Sequence, residues 1–177
     1  ETRWSDAADR YAEQAGMPYA DYQREAAHAL IDAGADAIVG HHAHLLKGVE
    51  LYRDRPVFYS LGNFAIEQPH IWDPAIVRHA SYRQLQSLNP TWNPAATYVL
   101  PDITRPTGAL RLEIAAGRIA GIAFQPAWIG DDSAPRMLSA VDEEFARVQS
   151  LLERSTAEAE LNARFRVRGD RLEIESA

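Results

Sequence analysis

Apolar residues along this chain recur in short groups whose spacing changes several times. Between Pro18 and Ala33, the residues Tyr22, Ala26, Ala29, Leu30 and Ala33 fall at i, i+4, i+7, i+8 and i+11, the stripe of a helix laid on a core. Pro18 suits the first turn of such a helix and Gly34 its C′ stop. Arg24, His28 and Asp32 fall on the other side, so His28 reads as a solvated surface residue with no role. Ala35-Asp36-Ala37-Ile38-Val39 then reads as a short buried strand. Two further apolar runs, 45–52 and 56–61, flank Arg53-Asp54-Arg55 as the arms of a hairpin flank its turn, and Val57-Phe58-Tyr59 is strongly β-prone.

The pattern is weaker elsewhere. Residues 1–17 are polar and mixed, with room for a helical turn or two around 6–14. From 67 to 107 six prolines punctuate the chain, with Trp72, Tyr82, Trp92 and Tyr98 among them and a weakly patterned helix over 76–88. Long irregular stretches inside a domain are lids, binding loops or insertions, and the aromatics favour an ordered cover packed on the body. Regular alternation returns with Leu110, Leu112 and Ile114, then a turn at Ala116-Gly117 and a returning strand over 118–125. Ser139-Ala140-Val141-Asp142 resembles a capping signal, ahead of a helix with Val141, Phe145, Val148 and Leu152 on one face. The chain closes with a hairpin about Gly169-Asp170.

The order helix, strand, hairpin, irregular segment, hairpin, helix, hairpin is that of an α/β protein. At 177 residues it suits one domain. That domain divides into a helix–strand–hairpin part (1–66), a Pro/Trp-rich loop (67–107) and a hairpin–helix–hairpin part (108–177). No apolar run approaches the ~20 residues that cross a bilayer. The opening Glu1-Thr2-Arg3-Trp4 lacks both Met and a signal-like segment, as in a processed or truncated product. Net charge is −7 and no basic stripe alternates with aromatics, which argues against nucleic acid as a partner. With no cysteine there is no disulfide framework, thiol nucleophile or thiolate-bound zinc. Any metal must be held by His, Asp, Glu, Asn or backbone oxygen.

The candidate chemistry lies in Gly40-His41-His42-Ala43-His44, which holds three of the six histidines. It directly follows the Ile38-Val39 strand, and in α/β folds ligands gather beyond the carboxyl ends of strands. An isolated histidine in a polar loop is usually a surface residue. A His-His-X-His run after a strand points instead to metal, because neutral imidazole is the commonest metal ligand. In extended backbone His42 and His44 would face one way and His41 the other. Zinc and di-metal centres take about three or more protein ligands per ion. Glu50, Asp54 and Glu67 are candidates by proximity, Glu67 foremost, whereas Asp36 belongs at the opposite end of the strand. Asn63, in Ser60-Leu61-Gly62-Asn63-Phe64, is either a site residue beside the histidine loop or a residue that merely shapes a turn. His70 and His79 read as surface or packing residues. No nucleophile elbow, phosphate-binding glycine loop or HExxH helix is present. Metal-assisted hydrolysis is the reaction class with positive support.

The segment Leu30-Ile31-Asp32-Ala33-Gly34-Ala35-Asp36-Ala37-Ile38-Val39-Gly40-His41-His42-Ala43-His44 resembles the segment before the last metal motif of bacterial capsule synthesis proteins of the CapA type, the poly-gamma-glutamate (PGA_cap) family. Gly48-Val49-Glu50 and Arg55-Pro56-Val57-Phe58-Tyr59-Ser60-Leu61-Gly62-Asn63-Phe64 resemble that family's next block. The resemblance implies a calcineurin-like metallophosphoesterase fold, a two-sheet αββα sandwich with a di-metal site at the strand ends. It implies His42 and His44 as ligands of divalent Mn, Fe or Zn, with Asn63 beside them as a catalytic-site residue. His41 stands where the family often has serine, and Ala43 replaces the usual proline. The family's earlier metal motifs have no match here, which implies a C-terminal portion, an incomplete domain with an incomplete site, inactive alone. The implied role is synthesis or anchoring of poly-gamma-glutamate or a related anionic capsule polymer in the bacterial cell envelope or outside the cytoplasm. The implied partners are that polymer or a phosphoester substrate and other capsule-synthesis proteins, with membrane association only through the missing N-terminal part. The alternative is a non-catalytic polymer-binding or assembly component without a functional metal centre, contacting polymer through the aromatic segment from Trp72 to Tyr98.

Overall fold

A computed structural model describes residues 21–66, 73–88 and 97–177 of the chain. Helix α1 (Asp21–Asp32) ends where the sequence places its stop. Gly34 takes φ +110°, its N–H donates to Ile31 O at 3.0 Å, and Ala35 N–H donates to Leu30 O at 3.0 Å. This pair of bonds satisfies the last carbonyls of the helix, and only the glycine reaches that φ without strain. The buried face differs from the expected stripe. Ala27 and Ile31 are buried, whereas Tyr22 and Leu30 are 66% and 53% exposed. The inward face is Arg24, Ala27, His28 and Ile31, a clean i, i+3, i+4, i+7 set. Two of those four are polar, so hydrophobicity alone points to the wrong side.

The helix lies on a three-stranded sheet built from β1 (Ile38–Val39), β2 (Val49–Tyr52) and β3 (Arg55–Phe58). The order is β1-β3-β2, with β1 parallel to β3 and β2 antiparallel to it. The hairpin turn is shorter than Arg53-Asp54-Arg55: Arg53 and Asp54 alone form it, both at positive φ, as a tight two-residue turn requires. Strand β1 is an edge strand rather than a buried one, with Ile38 against α1 and Val39 largely exposed.

Alternation on β2 and β3 separates two environments. Val57 and Tyr59 turn toward α1 with Ala27 and Ile31. Val49 and Phe58 turn the other way, into the main core. The outer edge of β2 is covered rather than open. Val49 N–H donates to Thr156 Oγ1 at 3.1 Å, and Leu51 exchanges two bonds with the Asn162 side chain at 2.8 and 3.0 Å.

The second sheet has five strands: β4 (Pro106–Ala115), β5 (Arg118–Ile129), β6 (Pro135–Met137), β7 (Ala163–Arg168) and β8 (Arg171–Ser176). Their order is β4-β5-β8-β7, with β6 on the end of β5. Both turns expected from the sequence are present, at Ala116-Gly117 and Gly169-Asp170. Residues 126–129 extend β5, and β6 lies where the sequence reads only as a polar link. The chain is thus a two-sheet α/β sandwich.

Helix α2 (Ala80–Leu88) follows a 3₁₀ turn at Pro74–Arg78, and helix α3 (Glu143–Glu158) lies across the second sheet. Phe145, Val148, Leu151 and Leu152 of α3 pack on Phe124, Leu138, Leu172 and Ile174. Val141, assigned to that face by the sequence, is 92% exposed because it precedes the helix. Asp142 occupies the N-cap, but its carboxylate accepts from Ser139 N–H at 2.8 Å and from Arg136 rather than capping the helix. The Ser139 bond, first, and Arg136 hold that carboxyl below its usual pKa.

Part of the Pro/Trp-rich loop is an ordered cover. Tyr98, Val99, Leu100 and Ile103 are buried, with Tyr98 and Leu100 against Ile129. Tyr98 is therefore no part of an exposed polymer-contact surface. Trp72 and Trp92 lie outside the described residues, as do residues 1–20.

Phe124 is fully buried at the centre of the main core. Phe124→Ala is expected to lower stability by about 3–5 kcal/mol through lost burial and an unfilled cavity. Val141→Ala is expected to stay within about 0.5 kcal/mol. Chemical denaturation of the two variants checks the contrast.

Candidate metal-binding loop

The histidine loop is held at both stems by one stretch of chain, the continuation of β3. Gly40 N–H donates to Phe58 O at 2.7 Å and Gly40 O accepts from Leu61 N–H at 3.2 Å. On the other stem Lys47 N–H donates to Ser60 O at 3.0 Å, and Leu46 bridges Leu61. The approach at Gly40 excludes any side chain, since a Cβ there would lie 2.4 Å from the Tyr59 carbonyl oxygen. Between these stems the backbone leaves the extended region that the alternation argument assumed. His42 and His44 take φ +86° and +57°. A non-glycine residue in the left-handed region costs about 1–3 kcal/mol and persists only where its surroundings enforce it. Here Ala43 and Leu45 are drawn into the main core while His41, His42 and His44 remain exposed.

Asn63 lies beside this loop, as the sequence allows. Gly62 before it has φ +73° and approaches the Pro106 carbonyl closely. The Asn63 side chain is buried, with Oδ1 2.6 Å from His44 Nδ1 and Nδ2 3.1 Å from the Tyr98 hydroxyl. The amide is thus more than a turn-former: it holds the His44 ring. With Nδ1–H donated to Asn63, the Nε2 lone pair of a neutral imidazole is left for a ligand, the usual arrangement behind a metal-bound histidine.

Among the described residues the candidate carboxylates do not join the histidine loop. Asp36 and Asp54 lie at the far end of the sheet, where Arg55 Nε meets Asp36 Oδ1 at 3.4 Å. Glu67 and His70 fall outside the described residues. His79 is exposed and bonds Ser81 Oγ at 2.9 Å. Among the described residues no group of three or more His, Cys, Asp or Glu is arranged to hold an ion. The donor chemistry of His42 and His44 fits a divalent transition metal as part of a coordination set rather than the whole of it.

Glu50 has a different partnership. Its carboxylate is buried under α1, with both oxygens 3.0 Å from His28 Nε2. Tyr59 donates its hydroxyl to Glu50 Oε2 at 2.6 Å, and Arg24 Nε is 3.9 Å from that oxygen. His28 stacks on Tyr52 with ring centroids 3.7 Å apart and planes 5° from parallel. His28 is therefore not a solvated surface residue: it links α1 to the sheet. Burial, and next the Glu50 carboxylate, push the Tyr59 hydroxyl well above its ordinary pKa. Lys47, also buried, has its pKa lowered by desolvation. Only the i, i+4 spacing of Arg24 and His28 could have signalled this cluster in the sequence.

Fold and loop together define a class: an α/β sandwich with a paired-imidazole loop beyond the strand ends. Comparison with known proteins narrows this. Residues 11–68 match the family described as bacterial capsule synthesis protein PGA_cap. The chain is 56% identical over 48 residues to a PGA biosynthesis protein CapA of Bacillus subtilis, covering 27% of this chain and 13% of that one. It is 52% identical over 46 residues to a capsule biosynthesis protein CapA of Bacillus anthracis, covering 26% and 11%. An uncharacterised protein of Sinorhizobium fredii is 62% identical over 45 residues, covering 25% and 10%. Through this segment the chain is similar to CapA-type capsule synthesis proteins. The matches span about a tenth of the length of these relatives.

Gly40→Ala is expected to cost about 1–3 kcal/mol through overpacking and to speed hydrogen exchange at the Leu61 amide, both measurable on the purified chain. Glu50→Leu leaves buried polar groups without their acceptor and is expected to cost about 1–3 kcal/mol. Arg55→Ala, which breaks an exposed pair, should cost less than about 1 kcal/mol in the same denaturation experiment.

Proposed function

We propose that His42 and His44 supply two ligands of a divalent-metal site, Mn, Fe or Zn, in a CapA-type protein with a metallophosphoesterase-like fold. The protein acts in synthesis or anchoring of poly-gamma-glutamate or a related anionic capsule polymer at the bacterial cell envelope. The observation that carries this reading is the 2.6 Å contact of His44 Nδ1 with buried Asn63, which leaves Nε2 for a ligand. It is supported by the names of the Bacillus relatives and by the position of the loop at the strand ends. No helix among the described residues is long and apolar enough to cross a membrane.

When bound, such an ion supplies Lewis acidity and activates water at neutral pH. This chain's part is to present two imidazoles from one loop, with Asn63 keeping the His44 ring from turning. The remaining ligands must come from residues other than those described. The anionic polymer or a phosphoester is the substrate class, with other capsule-synthesis proteins as partners. In a second, non-catalytic reading, favoured by the lack of a third ligand among the described residues, the fold binds polymer without a working metal centre.

The test is metal analysis and hydrolysis of a generic phosphodiester by the full-length protein. His42→Ala and His44→Ala are each expected to lower metal content and to reduce hydrolysis at least about 100-fold, since such ligands act as a unit. Unchanged metal content and turnover in both variants would remove His42 and His44 as ligands, and a wild-type protein with neither bound metal nor hydrolysis would favour the non-catalytic reading.

A further inference from the structure

Tyr98 lies on the cover segment, far in sequence from the histidine loop, and is 0% exposed. Its hydroxyl is 3.1 Å from Asn63 Nδ2, 3.0 Å from Thr104 O and 2.6 Å from Thr104 Oγ1. Thr104, also fully buried, has its Oγ1 2.6 Å from the Pro101 carbonyl. The bonds of this series are ordered from that end. A carbonyl oxygen only accepts, so Thr104 Oγ1–H points to Pro101 O. Thr104 Oγ1 and O are then both acceptors toward Tyr98, and Tyr98 O–H donates to Thr104. The Tyr98 oxygen is left to accept, which places the Asn63 amide nitrogen toward it and Asn63 Oδ1 toward His44. A lone pair on His44 Nδ1 cannot face that oxygen at 2.6 Å, so Nδ1 carries the proton.

We propose that Tyr98 is a positioning residue for His44, selecting through Asn63 the tautomer with Nδ1 protonated and Nε2 free to bind a metal. The opposite tautomer requires the Asn63 amide to flip and the Tyr98 O–H to turn to it. Both Thr104 oxygens would then lose their donor in a site closed to water. Tyr98 is itself held by the second sheet. The Arg105 guanidinium lies 4.8 Å above its ring and is tied to Asp102, Asp131 and Ile129 O at 2.7–2.9 Å. Thr97 and Tyr98 N–H both donate to Asp131 O. The orientation of one loop histidine is thus set from the other sheet of the sandwich.

The purpose of this device rests on the metal reading above, but the tautomer itself does not. The experiment is a long-range ¹H–¹⁵N correlation on the metal-free full chain labelled at histidine, followed by Zn²⁺ titration. Wild-type His44 is expected to show the Nδ1–H tautomer. Tyr98→Phe is expected to give a mixture of tautomers, leave His79 unchanged, and weaken Zn²⁺ binding ~10-fold. Thr104→Val, which removes one of the two acceptors of the Tyr98 hydroxyl and leaves the Thr104 carbonyl, should shift His44 in the same direction to a smaller extent even if Tyr98→Phe does not fold. A His44 tautomer unchanged in every variant that folds overturns the proposal, whatever happens to affinity. A tautomer shift in the variants together with no metal uptake by the wild type, alone or in the full-length protein, sinks the metal reading and leaves the positioning role standing.

Discussion

The pairing of β3 with both of its neighbours governs the end of the molecule where the histidines lie. Its parallel register on β1 carries through Gly40, and its continuation at Ser60 and Leu61 takes the other stem of the loop at Leu46 and Lys47. A loop closed on both sides by the same strand has few degrees of freedom left. Its remaining residues can then be held at φ values that an open loop would relax, as at His42 and His44. The absence of a side chain at Gly40 is what allows the close approach. Without it, the stem would stand away from β3 and the inward turn of Ala43 and Leu45 would have no anchor.

On the other face of the same sheet a polar cluster does work usually given to apolar contacts. Glu50, His28, Tyr59 and Arg24 join α1 to β2 and β3 in a partly buried network. Such a network specifies one docking geometry because leaving any member unpaired is costly. The two apolar contacts beside it, Ala27 and Ile31, offer little area, so the helix depends on the polar contacts for its rotation. Glu50 is consequently committed to the fold rather than to an ion.

Much of the architecture was legible in the residues. Gly34 as a helix stop, a hairpin after Tyr52, the Ala116-Gly117 and Gly169-Asp170 turns and the inward Phe145, Val148 and Leu152 of α3 all follow from local pattern. They did so because each depends on backbone preferences within a few residues. The misreadings have a common cause. Tyr22 and Leu30 form an apolar line on α1, but the sheet offered it a carboxylate, and the polar face turned in. Val141 was counted onto a helix that begins two residues later. The extended backbone assumed for the histidines gave way to a left-handed one once the core claimed Ala43.

By itself, the sequence determined that thiolates could not hold a metal in this chain, and that a cluster of three histidines would follow a strand end. It also determined that Asn63 would stand in a turn-forming stretch after the next strand, since residue type and local order carry that information. Only the tertiary structure decided that Asn63 bonds His44, that Tyr98 lies behind it, and that Glu50 belongs to α1. These contacts join residues 19, 35 and 22 positions apart. Hydrogen bonds between such distant positions are selected by how two sheets and a helix pack, and no local pattern encodes them.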